Sequence, residues 1–127
     1  MSQKILLTAL IIGALAIVLG AFGAHGLKKF LSIEQLNSFE IGVRYQMYHA
    51  LFLLFVAQTS YATDKQKMVV FLLTLFGILL FSGSIYLLAT STITNIKAKF
   101  LGPVTPIGGL LLISSWIYLF YCIIAKK

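Results

Sequence analysis

The sequence predicts an all-α integral membrane protein: a four-helix bundle of spanning helices, with an amphipathic helix connecting the first two. Three observations carry this prediction. Four apolar runs, Ile5–Ala24, Tyr45–Tyr61, Met68–Thr90 and Pro106–Ala125, fill most of the 127 residues. Each approaches or exceeds the roughly 17–25 residues that a helix needs to cross a hydrocarbon core. Hydrophobic residues make up 60% of the chain and charged residues only 10%, against about 25% charged in soluble domains. Lipid offers no water to backbone N–H and C=O groups, so runs of this length must be helices. The length allows one domain, residues 1–127, and the short loops leave no room for a soluble catalytic domain.

The first run follows Lys4 and carries Ala9, Gly13, Ala16, Gly20 and Ala24 at steps of three and four. They share one helical face, the small-residue surface that lets helices approach closely in lipid. Packing inside the bundle is the expected use of that face, with contact to a second copy as the alternative. The basic start resembles a signal peptide, but the apolar stretch exceeds the ~7–15 residues of a signal core. A retained helix is expected. After His25, Ser32 and Gln35 have the spacing of a capping box. Ile33, Leu36, Phe39 and Val43 then recur at steps of three and four. This predicts an amphipathic helix on the membrane surface, or an extension of span two into water. Glu40 and Arg44 have the i, i+4 order of a supporting ion pair.

A hairpin at Ala62–Lys67 makes spans two and three antiparallel neighbours. Within span three, Ser82-Gly83-Ser84 sets a packing glycine between hydroxyls that can bond back to the backbone. Pro103 and Pro106 suit the start of span four, where a missing N–H costs nothing. Gly108 and Gly109 join Gly13, Gly20 and Gly83 as expected packing glycines. The single cysteine, Cys122, allows no internal disulfide and behaves as a small hydrophobe.

The net charge of +7 lies at the span ends. That is the pattern of interface anchors and contacts with anionic headgroups, and no basic stripe with interleaved aromatics suggests nucleic acid. An even number of spans puts both chain ends on one side, with Lys4, Lys65, Lys67, Lys126 and Lys127. Lys28, Lys29, Arg44, Lys97 and Lys99 take the other side, so the ten cations divide evenly. The positive-inside rule gives no orientation here.

The unusual polar residues are not evenly divided. His25, Glu40, Arg44, Tyr45, Gln46, Tyr48, His49, Ser82, Ser84, Tyr86 and Thr105 all fall on the side of the first and third loops. Polar groups at membrane depth are costly unless paired or facing water. The set therefore predicts a hydrogen-bonded network or a shallow pocket at one membrane face, with His25, His49 and Ser84 converging. A structural network tying helix ends together is the weightier of the two. No Asp or Glu lies inside an apolar run, which disfavours proton-coupled transport. No nucleophile elbow, phosphate loop or zinc motif occurs. Two histidines without ligand spacing are a thin basis for metal or haem. Neither catalytic residues, metal nor cofactor is expected.

Four segments together resemble a known family. They are Gly20-Ala-Phe-Gly-Ala-His-Gly-Leu27, Tyr45-Gln-Met-Tyr-His-Ala-Leu51, Phe81-Ser-Gly-Ser-Ile-Tyr-Leu87 and Leu101-Gly-Pro-Val-Thr-Pro-Ile-Gly-Gly109. In this order they are similar to the bacterial family called domain of unknown function 423, whose eukaryotic relatives are called transmembrane protein 256. Trp116 matches a tryptophan of its last span, while Ser91–Phe100 is more polar than the family pattern. The resemblance implies a four-helix protein of the bacterial cytoplasmic membrane and supplies no activity. The leading expectation is therefore a non-enzymatic structural or accessory factor. Its polar face would take a lipid, a membrane-protein partner or a second copy. A small oligomeric transporter or channel is the alternative. A haem- or metal-binding or lipid-active enzyme using His25 and His49 comes third.

Overall fold

The structure, a computed structural model, describes residues 2–96 and 99–126. The placement expected for Lys97 and Lys127 lies outside them. No strand occurs among the described residues. Four long helices dominate: α1 (Ser2–His25), α2 (Ile33–Gln58), α3 (Asp64–Ala89) and α5 (Val104–Ala125), with α4 (Ser91–Thr94) a single turn. Short 3-10 turns at Leu27–Lys29 and Lys99–Leu101 flank the first and third connections. Among the described residues three segments are long and apolar enough to cross a membrane: Ser2–Lys29, Asp64–Ala89 and Lys99–Ala125. α2 is not among them: Glu34, Glu40 and Arg44 lie in its first half, and Gln46, His49 and Gln58 interrupt the apolar remainder.

Those turns do not form a separate surface helix. Ile33–Gln58 is one uninterrupted helix of 26 residues, about 39 Å at the α-helical rise. Ser32 starts it as the sequence predicts, accepting from the Gln35 amide while Gln35 Oε1 accepts from the Ser32 amide. The same reciprocal pair, Thr63 and Gln66, opens α3. The hairpin between α2 and α3 is thus tighter than Ala62–Lys67, because Asp64–Lys67 already form the first turn of α3.

Sequential helices pack antiparallel: α1 on α2, α2 on α3, α3 on α5. One end of the protein gathers Ser2, Ser60, Lys67 and Lys126, linked by hydrogen bonds across the chain. The other gathers His25, Ile33, Ala89 and Val104. Ile5, Ala9 and Ile12 of α1 meet Ala50, Leu53 and Ala57 of α2, Ile78 of α3 and Leu112 of α5 in the largest apolar cluster. Phe39, Leu27, Leu31 and Ala89 close a second cluster at the His25 end.

The small-residue face of α1 is used inside the molecule as far as Gly20, and Ala24 at its end is exposed. A Cβ on Gly13 would lie 3.6 Å from Ala50, and one on Gly20 would lie 3.3 Å from Val43. The α3–α5 contact is tighter. Phe81 sits on Gly108, Leu112 on Gly77, and Ser84 bonds Thr105. Continuing these steps of three and four places Thr74 across from Ser115, both fully buried. One of the expected packing glycines plays no such part: a Cβ on Gly83 would meet nothing within 4 Å. Gly109 makes ordinary contact with the Phe81 ring at 3.6 Å, as Gly13 does with Ala50. Beside Gly83, Ser82 turns inward instead, because one residue on a helix rotates the face by about 100°.

Candidate functional site

α2 is the most polar of the long helices, and its neighbours absorb that polarity. Gln46 is 5% exposed and holds two helices at once. Its Nε2 donates to the Ile12 carbonyl of α1 at 2.9 Å. Its Oε1 accepts from the Tyr86 hydroxyl of α3 at 2.5 Å. One turn earlier, Ser82 Oγ donates to the Gly42 carbonyl at 2.7 Å. Gly42 lets Tyr86 cross there, since a Cβ would lie 2.7 Å from the ring. The Tyr86 ring also packs on Phe39, centroids 5.0 Å apart. Gln46, Ser82, Tyr86 and Gly42 thus form one buried network joining α1, α2 and α3.

His49 belongs to a second group. Trp116 Nε1–H donates to His49 Nε2 at 2.9 Å, so Nε2 carries the lone pair. Nδ1, 2.7 Å from the Tyr45 carbonyl oxygen, must then carry the hydrogen. The geometry fixes the neutral Nδ1–H tautomer and occupies both ring nitrogens. Phe52 stacks on Trp116 with centroids 4.2 Å apart. An indole N–H facing lipid needs an acceptor, and the imidazole supplies it. His49→Phe is therefore expected to cost about 1–2 kcal/mol and to move the emission of Trp116, the sole tryptophan, to shorter wavelength. Unchanged fluorescence in that variant would show that the indole does not depend on His49.

The third group is Ser84 and Thr105, their hydroxyls 2.5 Å apart. Ser84 also donates to the Phe81 carbonyl, so Thr105 is the donor of the pair.

The expected convergence of His25, His49 and Ser84 does not occur. Gly23, near His25, faces Phe39, nearly three turns before His49 on α2, or about 15 Å. Ser84 meets α5 at Thr105, three turns from the Trp116 that His49 holds. Helices that run antiparallel over their whole length keep their levels apart. His25 itself is exposed, and the two-histidine ligation has no geometric basis. Among the described residues no group of three His, Cys, Asp or Glu side chains is placed to hold a metal.

Glu40 and Arg44 are exposed and 3.5 Å apart. Both line a cleft of about 460 Å³ between the end of α1 and the start of α2, with Ala24, Ile33, Leu36 and Val43 as its open apolar walls and Lys28 on its rim. Tyr45 and Tyr48, edge to face at 5.5 Å, are half exposed one turn deeper. Tyr48 leads into an aromatic groove with Phe52, Phe55 and Trp116. A further cleft of about 510 Å³ lies between α2 and α3 beside Thr105, and its charged residue is Glu34.

Two functional-looking residues, Trp116 and Lys67, lie outside the predicted set. Tyr86 and Trp116 complete the two networks. Lys67 is 8% exposed, at the opposite end of the molecule. Its ammonium donates to the Ala57 carbonyl at 3.1 Å and to Ser2 Oγ at 3.4 Å, closing the carbonyl end of α2. A cation at a helix C-terminus is favoured by the helix dipole. Lys126 donates to the Ser60 carbonyl beside it. The sequence hint for Lys67 was its place in a helical first turn rather than in a loop.

Comparison with known proteins agrees with this helical, membrane-embedded arrangement. The family model described as "Protein of unknown function (DUF423)" matches residues 19–109. A UPF0382 membrane protein of Staphylococcus saprophyticus is 44% identical over 114 residues, covering 87% of this chain and 91% of the relative. A UPF0382 membrane protein of Haemophilus influenzae is 38% identical over 121 residues, covering 95% and 94%. The UPF0382 membrane protein YwdK of Bacillus subtilis is 43% identical over 108 residues, covering 81% of each. No solved structure matches the chain. With its helical membrane segments and this similarity over most of its length, the chain belongs to the DUF423 family of membrane proteins.

Proposed function

We propose that the chain crosses the bacterial cytoplasmic membrane four times and acts there without catalysis, as an accessory factor that holds a lipid in the cleft between α1 and α2. The observation that carries this reading is the cleft's construction: apolar walls at Ala24, Ile33, Leu36 and Val43, and charged groups at its mouth. An amphiphile matches such a site, with its chain on the walls and its headgroup at the mouth. The other buried polar residues support a structural role. Gln46, His49, Ser82, Ser84 and Ser115 all have hydrogen-bond partners. Among the described residues only the Thr74 hydroxyl is buried without one. A conducting path would need free polar groups in series, and this arrangement does not favour it.

Native mass spectrometry of the detergent-purified protein tests the reading. Wild type should retain phospholipid adducts. Ala24→Phe, which fills the cleft from an exposed wall position, should lose most of them without a change in thermal unfolding. Equal adducts in both proteins, or none in wild type, would sink the lipid site.

A further inference from the structure

We infer that this cleft selects anionic phospholipids, with Lys28 and Arg44 contacting the phosphate and Glu40 acting as a resident competitor that a neutral headgroup does not displace. The inference rests on the lipid-site reading and adds the headgroup chemistry. Lys28 comes from the turn that follows α1, and Arg44 comes from α2, so the cations reach the mouth from both helices. Glu40 is the carboxylate among the cleft residues. Its contact with Arg44 is long at 3.5 Å, and both side chains are more than half exposed, at 59% and 58%. Solvated i, i+4 pairs of this kind are weak and exchange readily. The Arg44 guanidinium is therefore free to leave Glu40 for a stronger acceptor. A phosphodiester oxygen pair fits its planar fork and outbids a single screened carboxylate.

The walls decide the source of that phosphate. Phe39 and Val43 fill the space beside Gly23 and Gly20, so the open apolar wall is Ala24, Ile33 and Leu36, where an acyl chain can lie. A soluble phosphate gains nothing from this surface. A zwitterionic lipid brings its own cation to the headgroup, which leaves little net charge to draw Arg44 from Glu40. Net negative charge on a membrane-anchored headgroup is what the three charged residues together discriminate.

The test is a titration of the full chain in neutral detergent, followed by native mass spectrometry, with phosphatidylglycerol and phosphatidylcholine of identical chains. Phosphatidylglycerol is expected to bind about tenfold tighter, since the two cations near the headgroup contribute roughly fivefold each and the Glu40 carboxylate takes back about twofold. Lys28→Gln and Arg44→Gln should each cost about fivefold for phosphatidylglycerol and leave phosphatidylcholine within about twofold. Glu40→Gln should tighten phosphatidylglycerol alone. These are exposed positions, and unchanged melting of each variant confirms that the fold is intact. Equal binding of both lipids in wild type would overturn the charge selection and leave the lipid site standing. Failure of both lipids to bind would overturn the site itself. Displacement of phosphatidylglycerol by inorganic phosphate would overturn the lipid as the source of the anion.

Discussion

Gly108→Ala is expected to destabilise the protein by about 3 kcal/mol, the upper range for forcing a methyl into a packed interior. The new Cβ would fall on the Phe81 amide nitrogen and within 2.7 Å of the Leu80 carbonyl carbon. These are backbone atoms of a neighbouring helix, so no side chain can swing aside, and α3 and α5 must separate along their contact. The opposing control is Gly83→Ala, where nothing lies within 4 Å. There the gain in helix propensity should leave stability unchanged or raise it by up to about 1 kcal/mol. Unfolding in mixed detergent, followed by circular dichroism, measures both. Similar midpoints for the two variants would show that α3 and α5 do not cross at Gly108.

Gln46→Leu is expected to cost about 2 kcal/mol by the same measurement. It deletes one bond to α1 and one to α3, and interhelical hydrogen bonds in membranes are worth about 0.6–1.7 kcal/mol each. Tyr86→Phe removes only the second bond, so its loss should be about 1 kcal/mol, and the double variant should be no worse than Gln46→Leu alone. Strict additivity of the two changes would mean that the 2.5 Å contact between Tyr86 and Gln46 contributes nothing.

The local features of this fold were legible in the sequence and the long-range ones were not. Ser32 and Gln35 announce the start of α2 because a capping box is complete within four residues. Thr63 and Gln66 carry the same information, but the charged Asp64, Lys65 and Lys67 around them have the composition of a loop. Apolar periodicity, the usual guide to a buried face, fades in lipid, where Leu and Ile point outward as readily as inward. The α3–α5 seam is instead written in small and hydroxyl residues: Thr74, Gly77 and Ser84 against Thr105, Gly108 and Ser115. Of the polar set, Gln46, His49, Ser82, Ser84 and Thr105 are drawn into bonds, but into three separate groups. Which acceptor each finds depends on helix levels that a single chain does not display. Trp116 for His49, Ile12 for Gln46 and Ala57 for Lys67 are partners of this kind.

The bond from Gln46 to the Ile12 carbonyl has a meaning for biogenesis. On the four-span reading, α2 carries too many polar groups to leave the translocon for lipid on its own. Gln46 finds its first partner on α1, the helix made just before it, and the small face of α1 is shaped to receive α2. The two would enter the bilayer together as a hairpin, with the amide nitrogen already bonded. Tyr86 arrives only with α3, so the order of synthesis matches the order in which the Gln46 bonds can close.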